Sequence, residues 1–337
     1  MKYILGIETS CDETAASVVT GDLRVLSNVV ASQMHIHAEF GGVVPEIASR
    51  NHIAIIDKVV TRALTEAGIS PSQISAVAAT VEPGLPGAVM VGRVFASSLA
   101  TALSVPFLPV NHVHGHIASV PLTHPSVPST HLSLVVSGGH TSLYLVRDGK
   151  IELLELTLDD AVGEAFDKVA RTLNLGYPGG PIIENLAHEH LTFCGLNPTS
   201  PSCIPIQFVK KPNYHLDGFS YSGLKTAVIN FLNRENNQPE TSRATIPQIC
   251  HSFQSEAFAQ IVYKLKKHIK NFQRQLGTHK QTQEVTLCVS GGVSINKTLQ
   301  TLLNNELRPL GTTTYFPAPE FCGDNAAMIA AASVYFK

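Results

Sequence analysis

The opening stretch YILGIETSCDETAASVV has a buried-strand run, a polar turn and a second apolar run. The pattern returns at LSLVVSGGHTSLYLVRDGKIELL, whose alternating second strand ends at the turn Asp148-Gly149. A third version, VTLCVSGGVSIN, leads into a helix from about Lys297. Strand–turn units recurring so far apart predict a duplicated domain plan rather than a short-period repeat.

Helical patterns fill the intervals. NHIAIIDKVVTRALTEA (51–67) has helical apolar spacing and stops at Gly68, a C-cap signal. Residues 88–103 read similarly, ahead of a short strand in VPFLPV. Residues 159–174 begin with acids and end near Gly176, as a helix should. YPGGP (177–181) predicts a tight turn, 121–130 and 195–218 predict loops, and Asn325–Tyr335 predicts a small-residue, buried last helix. Phe253, Ala257, Ile261, Leu265, Ile269, Phe272 and Leu276 form one apolar helical stripe. Strands interleaved with helices predict an α/β architecture, with two lobes divided within 110–130.

The 337 residues suit two domains, and 44% hydrophobic content excludes wholesale disorder. A net charge of −2 announces no nucleic-acid binder, although a local basic patch fits inside a neutral total. One such patch runs from Lys264 to Lys280, with six Lys/Arg and no acid; it reads as a solvated face or as a phosphate-backbone contact. The six cysteines form no CxxC pair and are expected to be reduced. No apolar stretch is long enough to span a membrane and the N-terminus lacks a signal-peptide pattern, so a soluble cytoplasmic protein is expected.

Four local patterns carry chemistry. In NHVHGHIAS, Asn111 is a plausible N-cap, which would put His112 and His116 one turn apart on one face and turn His114 away. That pair can chelate a divalent metal if a distant third ligand joins it; polar-loop histidines are the bland alternative. Val113 after His112 removes the HExxH of a zinc peptidase. Two Ser-Gly-Gly turns, at 137–139 and 290–292, suit backbone N–H groups approaching a phosphate, whereas neither a P-loop nor a GxGxxG is present. The turn ETSCDET groups Glu8, Asp12 and Glu13, either as surface carboxylates or for metal or proton handling near phosphates. Cys11 is discounted as a nucleophile because its acidic neighbours raise a thiol pKa. Asp324, just before the last helix, is either an N-cap or a ligand.

In this order the motifs GIETSCDETAASVV, GGVVPEIASRNH, NHVHGHIAS, LVVSGGHT, DDAVGEAFDKVAR, YPGGP, FSYSGLKTA, SGGVSIN and FCGDNAAMIA strongly resemble the TsaD family, the tRNA adenosine threonylcarbamoyltransferases, nearly end to end. The resemblance implies a two-domain actin-like, sugar-kinase-like (ASKHA) α/β fold with duplicated mixed-sheet lobes. These would span 1–115 and 116–337, with helix 325–335 packing back onto the first. It implies one divalent metal per chain, iron(II) with zinc as the alternative, held by His112, His116 and Asp324. Val135, Val136, Ser137, Gly138 and Gly139 would meet the phosphate of threonylcarbamoyl-AMP. Asp167, Gly180, Glu184 and Asn296 would line its adenosine part. The acceptor would be the exocyclic amine of the adenosine at position 37 of tRNAs that read codons beginning with A. Asp12 is nominated as the base, with Glu13 and His140 as rivals. Implied partners are tRNA, a same-fold TsaB-like paralogue and a small TsaE-like ATPase, with no membrane. The chain departs from the family pattern at Glu82, Glu184 and Tyr221. A small-molecule kinase of the same fold and a non-catalytic nucleotide-binding scaffold are the competing readings.

Overall fold

The computed structural model describes residues 2–197, 200–210, 216–237, 244–275 and 284–336. Strands β1 (Tyr3–Glu8), β2 (Glu13–Thr20), β3 (Val25–Ser32), β4 (Ile74–Glu82) and β5 (Phe107–Asn111) form one sheet, in the order β3-β2-β1-β4-β5. Strands β6 (Thr130–Val136), β7 (Thr141–Arg147), β8 (Lys150–Glu155), β9 (Val285–Ser290) and β10 (Thr312–Tyr315) form the other, ordered β10-β9-β6-β7-β8. In each sheet the first strand pairs antiparallel with the second and parallel with the fourth. The repeated strand–turn grammar is therefore a repeated topology, and the chain has the expected two-lobe α/β architecture.

The helices are α1 (Met34–Ala38), α2 (Pro45–Ala67), α3 (Pro86–Ala102), α4 (His112–Thr123), α5 (Val162–Thr172), α6 (Gly179–Leu196), α7 (Ser222–Asn237), α8 (Ile246–Gln275), α9 (Lys297–Leu307) and α10 (Ala326–Tyr335). Residues of α2 and α3 pack on one face of the first sheet, burying Val59, Val60, Ala63, Ala96 and Ala100. The alanines of α10 cover the other face, against Ile4, Val19, Ala76 and Ala78. That approach requires Gly6: a Cβ there would fall 2.2 Å from the Ala326 carbonyl oxygen. Helix α4 packs on α10 and on β6 and β9 of the second sheet, so α4 and α10 lie between the two sheets. The second core gathers Phe166, Phe253 and Phe258 beneath β6 and β9.

Several sequence expectations change. Helix α2 begins at Pro45, ahead of residue 51, although Gly68 ends it in the left-handed region (φ 66°) as expected. Helix α5 begins at Val162, because Asp159 accepts the backbone N–H groups of Tyr221 and Ser222 instead of joining the helix. YPGGP is no closed turn: Gly179 and Gly180 open α6. Helix α4 continues through Pro121 to Thr123, into the expected loop. Cys194 and Cys203 are disulfide-bonded, against the expectation of six reduced thiols; the end of α6 turns back and brings them together. In the apolar stripe of α8 every residue from Phe253 to Phe272 is buried, while Leu276 lies outside the described residues. No described helix is long and apolar enough to cross a membrane.

Three residues of the basic patch, Lys264, Lys266 and Lys267, stand beside carboxylates. Lys264 is fully buried and ion-paired with Glu155 at 2.8 Å, and Lys266 pairs with Glu306. Lys267 stands 3.7 Å from Glu155, and Lys280 lies outside the described residues.

Candidate active site

The two β-hairpin turns of the duplicated plan, Glu8–Glu13 and Val136–Thr141, border one cleft of about 680 Å³. Asp12, Glu13, His112, Ser137, Gly138, Gly139, His140, Asp167 and Asp324 line it, which brings together most of the expected site residues.

The histidines arrive by local capping. The Asn111 side chain accepts the N–H groups of Val113 (2.9 Å) and His114 (3.4 Å), so α4 starts at His112. His112 and His116 then stack edge to face, with ring centroids 4.7 Å apart, while His114 turns away to Phe336. Asp324 is not the cap of α10, because Asn325 accepts the Met328 N–H. Its Oδ1 lies 3.2 Å from His116 Nε2 and 3.6 Å from His112 Nε2.

This geometry suits a cation. One ligand atom from each of the three side chains lies within 4.8 Å of the others. Buried His116 has no hydrogen-bond partner for its Nδ1 among the described residues, and its Nε2 has only the Asp324 carboxylate close by. Two imidazole nitrogens and a carboxylate oxygen are ordinary donors to a divalent first-row metal. His112, His116 and Asp324 therefore form a site able to hold a metal ion.

Glu8, grouped above with surface carboxylates, is fully buried. It accepts from the Ser10 N–H and the Thr80 hydroxyl, and its Oε2 stands 3.1 Å from His112 Nδ1. Burial alone would raise its pKa, but the His112 ring and the Thr80 hydroxyl hold it below the ordinary carboxylate range. Burial likewise opposes charge on His112, yet Asp324 and Glu8 outweigh it and lift that imidazole to about 9. Asp324 is held well below the usual range, the His112 and His116 charges outweighing its burial. The cluster thus favours positive charge at its centre.

Elsewhere in the cleft, burial and then the Asp324 and Asp12 charges push Glu13 well above the ordinary range. Burial, with His112 and His116 adding to it, depresses His140 to about 4. Asp167 is raised to about 6, chiefly by burial, although its carboxylate accepts the Gly179 N–H. Cys11 is pushed far up by burial, then by Asp12 and Asp324, which agrees with discounting it as a nucleophile.

The Ser-Gly-Gly turns differ in use. Ser137 closes its own turn, donating its N–H to the His140 carbonyl and accepting the His140 N–H on its hydroxyl. Gly138 and Gly139 are exposed beside open space. Gly291, at φ 90°, sits where a Cβ would lie 2.3 Å from the Val136 carbonyl oxygen, while Gly292 reaches the cleft. Val135 and Val136 are core residues of β6. Gly180, Glu184 and Asn296 do not line the cleft: Glu184 accepts the Lys297 N–H, and Asn296 caps α9 through the Leu299 N–H. Glu82 ends β4 and leads into a cis peptide bond with Pro83, and Tyr221 is fully buried.

Comparison with known proteins places this cleft in context. The profile of the family described as TsaD, tRNA N6-adenosine threonylcarbamoyltransferase, matches residues 24–331. The tRNA N6-adenosine threonylcarbamoyltransferase of Symbiobacterium thermophilum is 45% identical over 98% of this chain and 91% of its own length. The protein of the same name from Clostridium perfringens strain SM101 is 43% identical over 100% of this chain and 93% of its own length. Among solved structures, HypF of T. kodakarensis superposes with a TM-score of 0.60 at 12% identity, covering 98% of this chain and 47% of that one. The ADPNP-bound activator of the 2-hydroxyisocaproyl-CoA dehydratase from Clostridium difficile gives 0.52 at 13% identity, over 99% and 93% of the two chains. These two likenesses concern the fold. The sequence matches, spanning nearly the whole chain and the residues of the cleft, establish that the chain belongs to the TsaD family.

Proposed function

We propose that this chain transfers the threonylcarbamoyl group of threonylcarbamoyl-AMP to the exocyclic amine of the adenosine at position 37 of tRNAs reading codons that begin with A. The observation that carries the reading is the grouping of His112, His116 and Asp324, two of which line the same cleft as the Gly138-Gly139 turn, in a chain of the TsaD family. Neither a small-molecule kinase nor a non-catalytic scaffold calls for two buried imidazoles converging on one carboxylate.

The chemistry makes two demands. Charge grows on the departing AMP phosphate, and the acceptor nitrogen, its lone pair delocalised into adenine, must lose a proton as the tetrahedral species forms. A divalent metal, iron(II) in our reading and zinc otherwise, would supply Lewis-acid stabilisation of the phosphate when held by His112, His116 and Asp324. Gly138 and Gly139 would offer backbone N–H groups to the same phosphate, with Ser137 and β6 residues Val135 and Val136 fixing the turn. Asp167 on α5 would face the adenosine part, while Gly180, Glu184 and Asn296 would shape that end by setting the starts of α6 and α9. Asp12 is assigned the acceptor's proton. Glu13, whose pKa burial and the Asp324 and Asp12 charges raise, and His140, depressed to about 4, are the rival bases.

In this reading the lobes divide within α4, near residue 115, and the protein works in the cytoplasm with tRNA. A same-fold TsaB-like paralogue and a small TsaE-like ATPase complete the assembly. Exposed Ile53 on α2 and Met90 and Val94 on α3 give the paralogue an apolar face to cover. The test is mass analysis of nucleosides from unmodified tRNA incubated with the chain, both partners, iron(II) and threonylcarbamoyl-AMP. Threonylcarbamoyladenosine is the expected product, and its absence, with donor intact, would refute the proposal.

A further inference from the structure

We infer that Glu8 is a positioning residue for the metal centre: it fixes the His112 ring from behind and thereby sets the geometry of both imidazoles. The inference rests on the metal-site reading above and extends it to a residue outside the ligand set.

Glu8 ends β1, a strand whose last five residues are all buried, so its carboxylate cannot turn to solvent. Both oxygens are engaged: the Ser10 N–H donates to Oε1, and the Thr80 hydroxyl on β4 donates to Oε2. The same Oε2 stands 3.1 Å from His112 Nδ1, which also lies 3.1 Å from the Ser10 hydroxyl. A carboxylate bears no proton to give, so the shared hydrogen belongs to Nδ1. The lone pair of neutral His112 is then on Nε2, the nitrogen that faces Asp324. A carboxylate behind a metal-binding imidazole fixes its tautomer and orientation and strengthens its basicity.

His116 has no comparable support, because its Nδ1 lacks a hydrogen-bond partner among the described residues. Its ring instead meets His112 edge to face at an interplanar angle of 79°. Anchoring His112 therefore also limits where the His116 ring can lie. The chain Thr80–Glu8–His112–His116 runs from the fourth strand of the first sheet to α4, tying the cluster to rigid elements.

The test uses the full chain freed of metal and titrated with cobalt(II), whose visible absorption reports both binding and coordination geometry. Glu8→Gln keeps the shape and removes the charge. It should weaken cobalt(II) binding about 10- to 100-fold and alter the absorption bands, while the metal-free protein melts close to the wild type. Thr80→Val, which frees one carboxylate oxygen, should weaken binding less and in the same direction. His116→Ala serves as the ligand control and should lose the bound spectrum. Wild-type affinity and bands in Glu8→Gln, with loss in His116→Ala, would overturn the role of Glu8 and leave the metal site standing. If Glu8→Gln does not fold, unchanged affinity in Thr80→Val overturns it. Wild-type protein that fails to bind cobalt(II) would take the metal site down together with the inference.

Discussion

Asp12 and Asp167 show how far single residues could be read from the chain. Asp12 was legible from its polar turn, Asp167 only through the family resemblance, and both line the cleft. Replacing Asp12 by Asn should cut threonylcarbamoyl transfer by at least tenfold while leaving donor affinity unchanged, as measured by single-turnover rates beside equilibrium binding. The 10²–10⁴-fold range of general base catalysis sets the scale, and an unchanged rate would remove Asp12 from the mechanism. For Asp167 the folded pKa of about 6 lies above the ordinary aspartate range. The folded state therefore holds its proton more tightly than the unfolded chain, and stability falls as pH rises from the ordinary range through about 6. Asp167→Asn keeps an acceptor for the Gly179 N–H and removes that charge. Above pH 7 the variant should be the more stable by on the order of 1–2 kcal/mol, with solvent screening discounted, and the difference should vanish near pH 4 in denaturant titrations. Glu8 was harder to read, since a carboxylate in a polar turn is ordinarily exposed. The available signal was its place at the end of an unbroken apolar run: a central strand covered on both faces leaves its last side chain buried too.

At the scale of elements, periodicity and caps were informative wherever the determinants are local. Asn111 capping α4 and Gly68 ending α2 are both settled by residues within one turn, whereas the cap of α10 is Asn325 and not its neighbour Asp324. The misreadings arise where a distant partner competes. Asp159 looked like the acidic start of α5 but serves the backbone at Tyr221 and Ser222, beyond α5 and α6 in the chain. Lys264 looked like part of a basic face, yet Glu155 at the end of β8 draws it into the interior, joined by His268 at 2.8 Å from the same carboxylate. Nothing near Lys264 in the chain announces that pairing. Lys264→Ala should leave Glu155 buried without its main counter-charge and destabilise the fold by about 3–5 kcal/mol. Urea unfolding measures this directly. A loss under about 1 kcal/mol, accompanied by weaker tRNA binding, would instead return Lys264 to the surface-contact reading.

Across the whole molecule, the duplicated sheets were visible as repeated strand–turn units because each turn interrupts an apolar run with Ser and either acids or a Gly pair. What periodicity could not supply is the meeting of His112 with Asp324, more than two hundred residues on. That meeting depends on α10 returning to the first sheet, which Gly6 permits by letting the Ala326 carbonyl approach β1. The family resemblance named the pair, and the packing of α4 against α10 gives its physical cause. The central claim is that this junction is where the acyl group changes hands. The most direct measurement is single-turnover transfer from threonylcarbamoyl-AMP to unmodified tRNA by the assembled enzyme, comparing wild type with Asp324→Ala at equal donor occupancy. The account predicts modified adenosine from the wild type and a rate at least 100-fold lower in the variant, in line with the loss of a main charge-stabilising group. An Asp324→Ala enzyme that transfers at the wild-type rate would contradict it.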